Sequence, residues 1–379
     1  MLKNILNNSI KSYQGCYNFC FFRGRVALYA ILRALAIGKG DEIALQAFTC
    51  LAVPEAIMAS GAKPLYIDLQ KNNVNMDPNN LSKKITRNTR AIIVQHTYGI
   101  PAEMDRIIHV ANKANISLIE DCCHTIYSTF HKQSIGTFGC ASFYSYEWGK
   151  PIVVGIGGSA KINSSNLAAK ISEDYKNFIF PKTSRILRLK LQYIAYSILF
   201  RPRFYWQMRS FYNWLGKHGI AESNYNPIKQ EGLLSKDFSL RMSAYHKKLL
   251  KKKLLRLSNI TEKSKNIAFQ YRNKIFSLPV SHIPASNDID IIYARYPLLA
   301  INKHAILNAA HKANVELADW YATPIHPLKR DDWNKVGYQE GECPNAEKLS
   351  KQIVTLPTHE KVSQRDVDRT IDFLNNLSL

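Results

Sequence analysis

Hydrophobic positions in residues 1–165 follow two alternating periods. RVALYAILRALAI (25–37) opens just after Gly24 with apolar residues at helical spacing, and DEIAL (41–45) predicts a short strand. CLAVPEAIMASG (50–61) reads as a helix stopped by Gly61. PLYIDL (64–69) and RAIIVQH (90–96) predict strands, AEMDRIIHVANKAN (102–115) a helix, and ISLIE (116–120) a further strand. The strands are almost continuously apolar and the unit recurs about every 30 residues, a rhythm that predicts crossover units in a mostly parallel sheet covered on both faces. Ligands of such sheets bind beyond the carboxyl ends of the strands.

The pattern changes between Lys176 and Ala221, a window with nine Lys or Arg, eleven aromatic residues and no Asp or Glu. Residues 242–275 predict one long basic helix. Alternation then returns: YARYPLLAI (293–301) as strand, NKHAILNAAHKAN (302–314) as helix, a proline-broken loop at TPIHPL (323–328), and VDRTIDFLNNL (367–377) as a closing helix. The expected division is a large domain over 1–165, a basic, aromatic-rich insertion attached to it over 166–235, and a smaller α+β domain over 236–379. No internal repeat is visible.

Composition narrows this picture. With 379 residues there is chain for about two domains. A hydrophobic fraction of 46% with 21% charged residues excludes global disorder, and 17 Gly with 15 Pro exclude a collagen-like chain. The net charge of +22 raises three partner classes: nucleic acid, anionic membrane and phosphorylated small molecules. Seven cysteines (16, 20, 50, 122, 123, 140, 343) form no metal-ligand spacing, and the adjacent Cys122–Cys123 pair suits a disulfide poorly. A reduced, cytoplasmic compartment and no metal are expected. The N-terminus carries no apolar h-region, so no secretory signal is expected. LQYIAYSILF (191–200) is ten residues long where a span needs about 20, which leaves at most a peripheral contact at the inner face of a membrane.

Three features can carry chemistry. Asp121 follows ISLIE directly, where it would face a ligand or simply cap the next helix. In ASFYSYEWGKPIVVGIGGSAKI (141–162) a strand leads to a turn bearing Lys150, then a Gly-rich reversal leads into another strand. A lysine desolvated on such a turn becomes nucleophilic, whereas a solvated one is ordinary surface. The spacing of Gly155, Gly157 and Gly158 is not GxGxxG and no helix follows, which excludes a dinucleotide loop. Gly24-Arg25-Val26 opens the first helix, either as a phosphate cradle or as a plain helix start. Phosphate cradle, carboxylate after a strand and lysine on a later turn are together what pyridoxal 5′-phosphate requires.

On these residues the chain resembles the DegT/DnrJ/StrS sugar aminotransferases, fold-type I pyridoxal phosphate enzymes. The likeness runs in order through GRVALYAILRALAIGKGDEIALQAFTC, ASGAKPLYIDL, TRNTRAIIVQHTYGIPAEMD, ISLIEDCCH, ASFYSYEWGKPIVVGIGG, TPIHPL and GYQEGECPNAEKLSKQIVTLPTH, with a gap at about 166–235. The resemblance implies an α/β fold with a mostly parallel seven-stranded sheet flanked by helices, plus a smaller C-terminal α+β domain. Lys150 matches the Schiff-base lysine, Ser145 the hydroxyl on the cofactor phosphate, and Asp121 the partner of the pyridine nitrogen. His124 falls near the ring oxygen, and Gly24, Arg25 and Val26 match the phosphate-binding turn. Tyr321 and His326 fall in the substrate-binding region. Some positions depart from the family. Arg25 replaces a hydroxyl with a guanidinium able to pair with phosphate, and Cys50 stands where an aromatic usually stacks on the ring. Ser239 stands where an Asn reaches the partner subunit's phosphate, and Ile156 replaces a Glu. Only 23 residues precede Gly24, so an N-terminal helix near the substrate entrance is expected to be missing.

The implied activity is amino transfer from an amino acid, L-glutamate being the expected donor, to a keto sugar nucleotide, in surface polysaccharide or amino-sugar biosynthesis. Lys150 would act as general acid/base in a homodimer with shared active sites. The alternatives are a non-catalytic or regulatory protein on this scaffold and an enzyme acting on a membrane-linked substrate. Residues 176–217 lie in the gap and allow three readings. They could form a structural insertion at the dimer or substrate mouth, a contact with anionic membrane through cations such as Arg201, Arg203 and Arg209, or a nucleic-acid surface. No recognition motif accompanies the last, so nucleic acid is not expected.

Overall fold

The computed structural model describes residues 17–218, 236–276, 280–283 and 289–377. The segment before Tyr17, in which a missing helix was expected, lies outside the described residues. The main sheet is built from β1 (Tyr17–Phe21), β2 (Glu42–Gln46), β3 (Lys63–Ile67), β4 (Thr89–Gln95), β5 (Ser117–Asp121), β6 (Ala141–Ser145) and β7 (Gly158–Ile162). Its seven strands run in the order β1-β7-β6-β5-β4-β2-β3. Every pairing from β6 to β3 is parallel, and β7 is antiparallel to both β6 and β1. The expected mostly parallel seven-stranded sheet is therefore present. The apolar runs form strands here because both faces are covered, as in β2, where Ile43, Ala44 and Leu45 are all buried.

Helices α1 (Gly24–Ala34), α2 (Ala52–Ala59), α3 (Met104–Ala114) and α4 (Ser165–Tyr175) flank this sheet. In α3 the buried residues Met104, Ile107 and Ala111 recur at helical spacing. The helix ends at Asn115 in the left-handed region (φ 53°), with the Ile116 amide donating to the Ala111 carbonyl. The edge strand β1 has no counterpart among the expected elements. It is short and lies outside the alternating pattern, and its place is fixed by long-range partners: β7 along its length, and the Met242 amide and the Tyr175 hydroxyl on the Cys20 carbonyl.

After α4 the chain forms α5 (Thr183–Leu199) and α6 (Tyr205–Lys217), then α7 (Ala244–Leu254) and α8 (Leu257–Lys274). The single helix expected over 242–275 is thus broken at Leu255–Arg256. The break turns the chain from one core to another: Leu250, Leu254 and Leu257 pack with Tyr146, Ile152 and Val154 of the lysine turn, whereas Ile267, Ala268 and Tyr271 pack on a second sheet. That antiparallel sheet is β8 (Val280–His282), β9 (Arg295–Ala300) and β10 (Ile353–Pro357), covered by α9 (Lys303–Lys312) and α10 (Gln364–Asn375). The segment between Ala318 and β10 crosses back. Tyr321, Ile325 and Leu328 join the first core, and Ile325–His326 pairs in parallel with Thr49–Cys50.

Candidate active site

The carboxyl ends of β5 and β6 and the start of α1 meet at one edge of the sheet, beneath a cavity of about 580 Å³. Gly24 is pressed onto the end of β6: a Cβ there would lie 3.1 Å from Ser145 Cβ and 3.3 Å from the Tyr144 carbonyl oxygen. Helix α1 therefore starts against Ser145, and no side chain caps its first turn, which leaves the positive end of the helix open there. This cradle is closed to a side chain but suits phosphate oxygens.

Arg25 lines the cavity, yet its guanidinium is paired with Glu55 of α2. Burial pushes the Glu55 carboxyl up even against the charges of Arg25 and Arg23. Arg25 therefore comes to a phosphate with a counter-charge already attached. Val26 contributes differently from expectation. Its side chain is fully buried in the core, and its amide donates to the Arg23 carbonyl (3.2 Å), because it sits one step inside the helix.

Asp121, 4% exposed, ends β5 and lines the cavity. One carboxylate oxygen accepts from the Cys123 amide (2.9 Å), and among the described residues no ion pair reaches it. Burial raises its pKa, while the Cys123 N–H and the Lys150 charge pull it partly back. A buried carboxylate on a cavity wall, near the Lys150 charge but in no ion pair among the described residues, fits a partner that brings an N–H, as a pyridine nitrogen does.

Lys150 stands on the turn after β6, its amide donating to the Glu147 carbonyl (3.3 Å). Its ammonium lies 4.8 Å from the centroid of the Trp320 ring. Lys150 lines the same cavity as Asp121, Cys50 and His326, and its charge also reaches His124 behind the wall. Cys50 lines the cavity opposite His326 in the two-residue pairing, and burial raises its thiol. The aromatic surface beside Lys150 comes instead from Trp320, a residue that the motif reading missed although it adjoins Tyr321.

His124 stands behind this wall and not on it. Its Nδ1 accepts from the Tyr98 amide (3.2 Å) and its Nε2 meets the Tyr321 hydroxyl at 3.0 Å. Burial, then the Lys150 charge, push its pKa well down, so the ring is neutral and Nε2 carries the hydrogen it donates to Tyr321. His124 thereby orients Tyr321, which does line the cavity. His326 also lines it. Its Nδ1 accepts from the Ala322 amide (3.1 Å), and burial lowers its pKa to about 4. Ser239 is exposed, with its hydroxyl donating to the Lys236 carbonyl (3.1 Å), and it is not part of this chain's own cavity.

The turn bearing Lys150 is held by charges that the motifs did not reveal. Buried Arg23 bridges Glu147 (2.8 Å) and Asp237 (3.1 Å), and Asp237 also takes Arg185 of α5 (2.7 Å). Burial alone would raise Asp237, but the Arg185 hydrogen bonds and the two guanidinium charges outweigh it and hold the carboxyl low. Helices α5 and α6 and the turn between them form a side of the cavity through Tyr196, Phe200, Tyr205 and Tyr212. Tyr196 also packs on Trp148 of the lysine turn (4.6 Å). Lys361 donates to the carbonyls of Tyr196, Ser197 and Phe200, and Trp206 to that of Val315 (2.8 Å), which anchors α5 and α6. Arg209 is a correction to the membrane reading: it lines the cavity and pairs there with Asp319 (3.2 Å).

Sheet order, cradle, carboxylate and lysine define a fold-type I pyridoxal phosphate enzyme. The chain belongs to the DegT/DnrJ/EryC1/StrS aminotransferase family, whose model matches residues 17–375. It is 25% identical over 366 residues (93% of this chain, 82% of the relative) to the spore coat polysaccharide biosynthesis protein SpsC of Bacillus subtilis. It is 26% identical over 355 residues (93% and 83%) to the dTDP-3-amino-3,6-dideoxy-alpha-D-galactopyranose transaminase of Aneurinibacillus thermoaerophilus. Its fold matches the crystal structure of DesV from S. venezuelae with a TM-score of 0.73 at 21% identity, covering 95% of this chain and 84% of that one. The protein is an aminotransferase and its cofactor is pyridoxal phosphate.

Proposed function

We propose that the protein moves an amino group from L-glutamate to a keto sugar carried on a nucleotide, for amino-sugar or surface polysaccharide synthesis. What supports this reading most is the convergence of Lys150, Asp121 and Ser145 on one cavity in a chain of this family. Bound pyridoxal phosphate supplies a conjugated ring that takes up the electron pair left at the donor carbon and carries the amino group between substrates. Ser145 and the start of α1 would hold the phosphate, and Arg25, its charge tempered by Glu55, would face it. Asp121 would keep the ring nitrogen protonated. Lys150 would move the proton from the donor's α-carbon to C4′ of the cofactor in one half-reaction, and from C4′ to the sugar carbon in the other. Tyr321, oriented by His124, and His326 contact the substrate.

The chain acts in the cytoplasm as a homodimer in which Ser239 faces the partner's cofactor phosphate, with peripheral membrane contact through 176–217. The test is direct. The holoenzyme absorbs in the visible, borohydride abolishes the band, and glutamate converts the protein to the amine form, which a keto sugar nucleotide then discharges. Lys150→Ala lacks the band and loses about a thousandfold or more in turnover. A wild-type protein without the band or the glutamate half-reaction would be a binding protein on a borrowed scaffold.

A further inference from the structure

The insertion has two faces, and the catalytic cavity explains only one of them. Along α5, Leu187, Leu191, Ile194 and Ile198 are 55%, 58%, 40% and 65% exposed and recur at steps of four, three and four. At about 100° per residue they form a single outward stripe, while Leu189, Tyr193 and Tyr196 on the opposite side are turned to the protein. On α6, Phe211 and Trp214 are 52% and 51% exposed and stack on each other at 6.3 Å. Of the sixteen large apolar side chains exposed among the described residues, ten fall between 179 and 214. The window carrying them has nine cations and no acid.

We propose that the outer face of α5–α6 docks on an anionic lipid bilayer and sets the rim of the catalytic cavity at the level of the headgroups. Leu199 and Phe211 belong both to the rim and to the exposed face, so a bilayer against that face lies beside the cavity mouth. The aliphatic stripe enters the acyl boundary, Phe204, Phe211 and Trp214 lie at headgroup depth, and Arg201 and Arg203 meet lipid phosphate. No helix of the described residues is long and apolar enough to cross a membrane, so the contact is a surface one.

Charge selects this occupant over the others. A second copy laid face to face would set cations against cations, which opposes association. A nucleic acid would leave the Leu/Ile stripe in water, since aliphatic side chains neither stack on bases nor pair with phosphates. The inner face is pinned by Lys361 and Trp206, so the outer stripe is presented by a fixed element.

The surface rests on the peripheral contact proposed above, and its test is independent of catalysis. Holoenzyme is sedimented with vesicles of phosphatidylcholine containing phosphatidylglycerol, and with phosphatidylcholine alone. Binding is expected only with the anionic vesicles, weakening as salt rises. Arg201→Glu with Arg203→Glu lowers partitioning roughly 25-fold or more, at about fivefold per cation removed. Ile194→Ser with Ile198→Ser lowers it without changing its salt dependence. Both variants keep the glutamate half-reaction, which shows that they are folded. Absence of binding to anionic vesicles, or equal binding by both variants and wild type, overturns the proposal. So does conversion of a dimer to a monomer by the serine variant in sedimentation velocity, which would make the face an interface between copies. If wild type shows no half-reaction but binds anionic vesicles, the aminotransfer reading fails and the docking surface stands; each variant's fold is then read from its thermal melt.

Discussion

Gly158 offers the sharpest probe of the phosphate cradle. It opens β7 between Phe21 and Ser145, directly behind the start of α1. In Gly158→Ala the new Cβ would lie 2.3 Å from the Arg23 carbonyl carbon, 2.4 Å from its oxygen and 2.4 Å from the Gly24 nitrogen. All three are backbone atoms, so no rotamer relieves the clash, and an ordinary contact needs the helix start to retreat by roughly 1.2 Å. That retreat widens the gap between Gly24 and Ser145, where the phosphate is held. Overpacking of this kind costs about 1–3 kcal/mol of stability. Losing one charge-assisted hydrogen bond to the phosphate costs about 1.5–3 kcal/mol more, which is roughly 10- to 150-fold in cofactor affinity. Titrating apoprotein with pyridoxal phosphate, followed by the visible band, and melting the apoprotein measure the two effects separately. Gly38→Ala is the control, since its Cβ would meet only the Ser60 carbonyl oxygen at 3.6 Å. Wild-type affinity and wild-type melting in Gly158→Ala would refute the assignment of this cradle.

Two further outcomes follow from buried ionisable groups. Asp121→Asn removes the negative charge but keeps the shape, so cofactor affinity falls about 10- to 100-fold. The apoprotein loses no thermal stability, because burial already opposes that charge. His246 is buried on α7, its Nδ1 held by the Ser243 hydroxyl (2.7 Å), and burial lowers its pKa from 6.5 to about 4. The unfolded chain therefore binds the extra proton first, and stability falls as pH drops from about 6.5 towards 4. Linkage gives about 2 kcal/mol lost at pH 5 relative to pH 7. Denaturant melts at the two pH values measure it, and His246→Leu should flatten the difference; an unchanged difference would locate the pH sensitivity elsewhere.

The placement of the candidate groups was legible in the chain because it depends on local order. Asp121 ends a strand, Lys150 follows Ser145 by five residues on a turn, and Gly24 opens a helix; each relation survives folding unchanged. Strand identity in the parallel sheet was legible for the same reason, since continuous burial leaves continuous apolar runs. What only the tertiary structure decided depends on residues far apart in sequence. The Glu147–Arg23–Asp237–Arg185 ladder joins four segments, and Trp320 reaches Lys150 from the other half of the chain. Charge and aromatic content marked 176–217 as unusual, but not which side of α5 would build the cavity and which would be left open. Arg209 and Arg203 read alike in the sequence, yet one pairs with Asp319 on the cavity wall and the other remains exposed outside it. Local pattern determines which groups the chemistry can use. Packing determines which of the many cations serve the site, because only the fold chooses each one's neighbour.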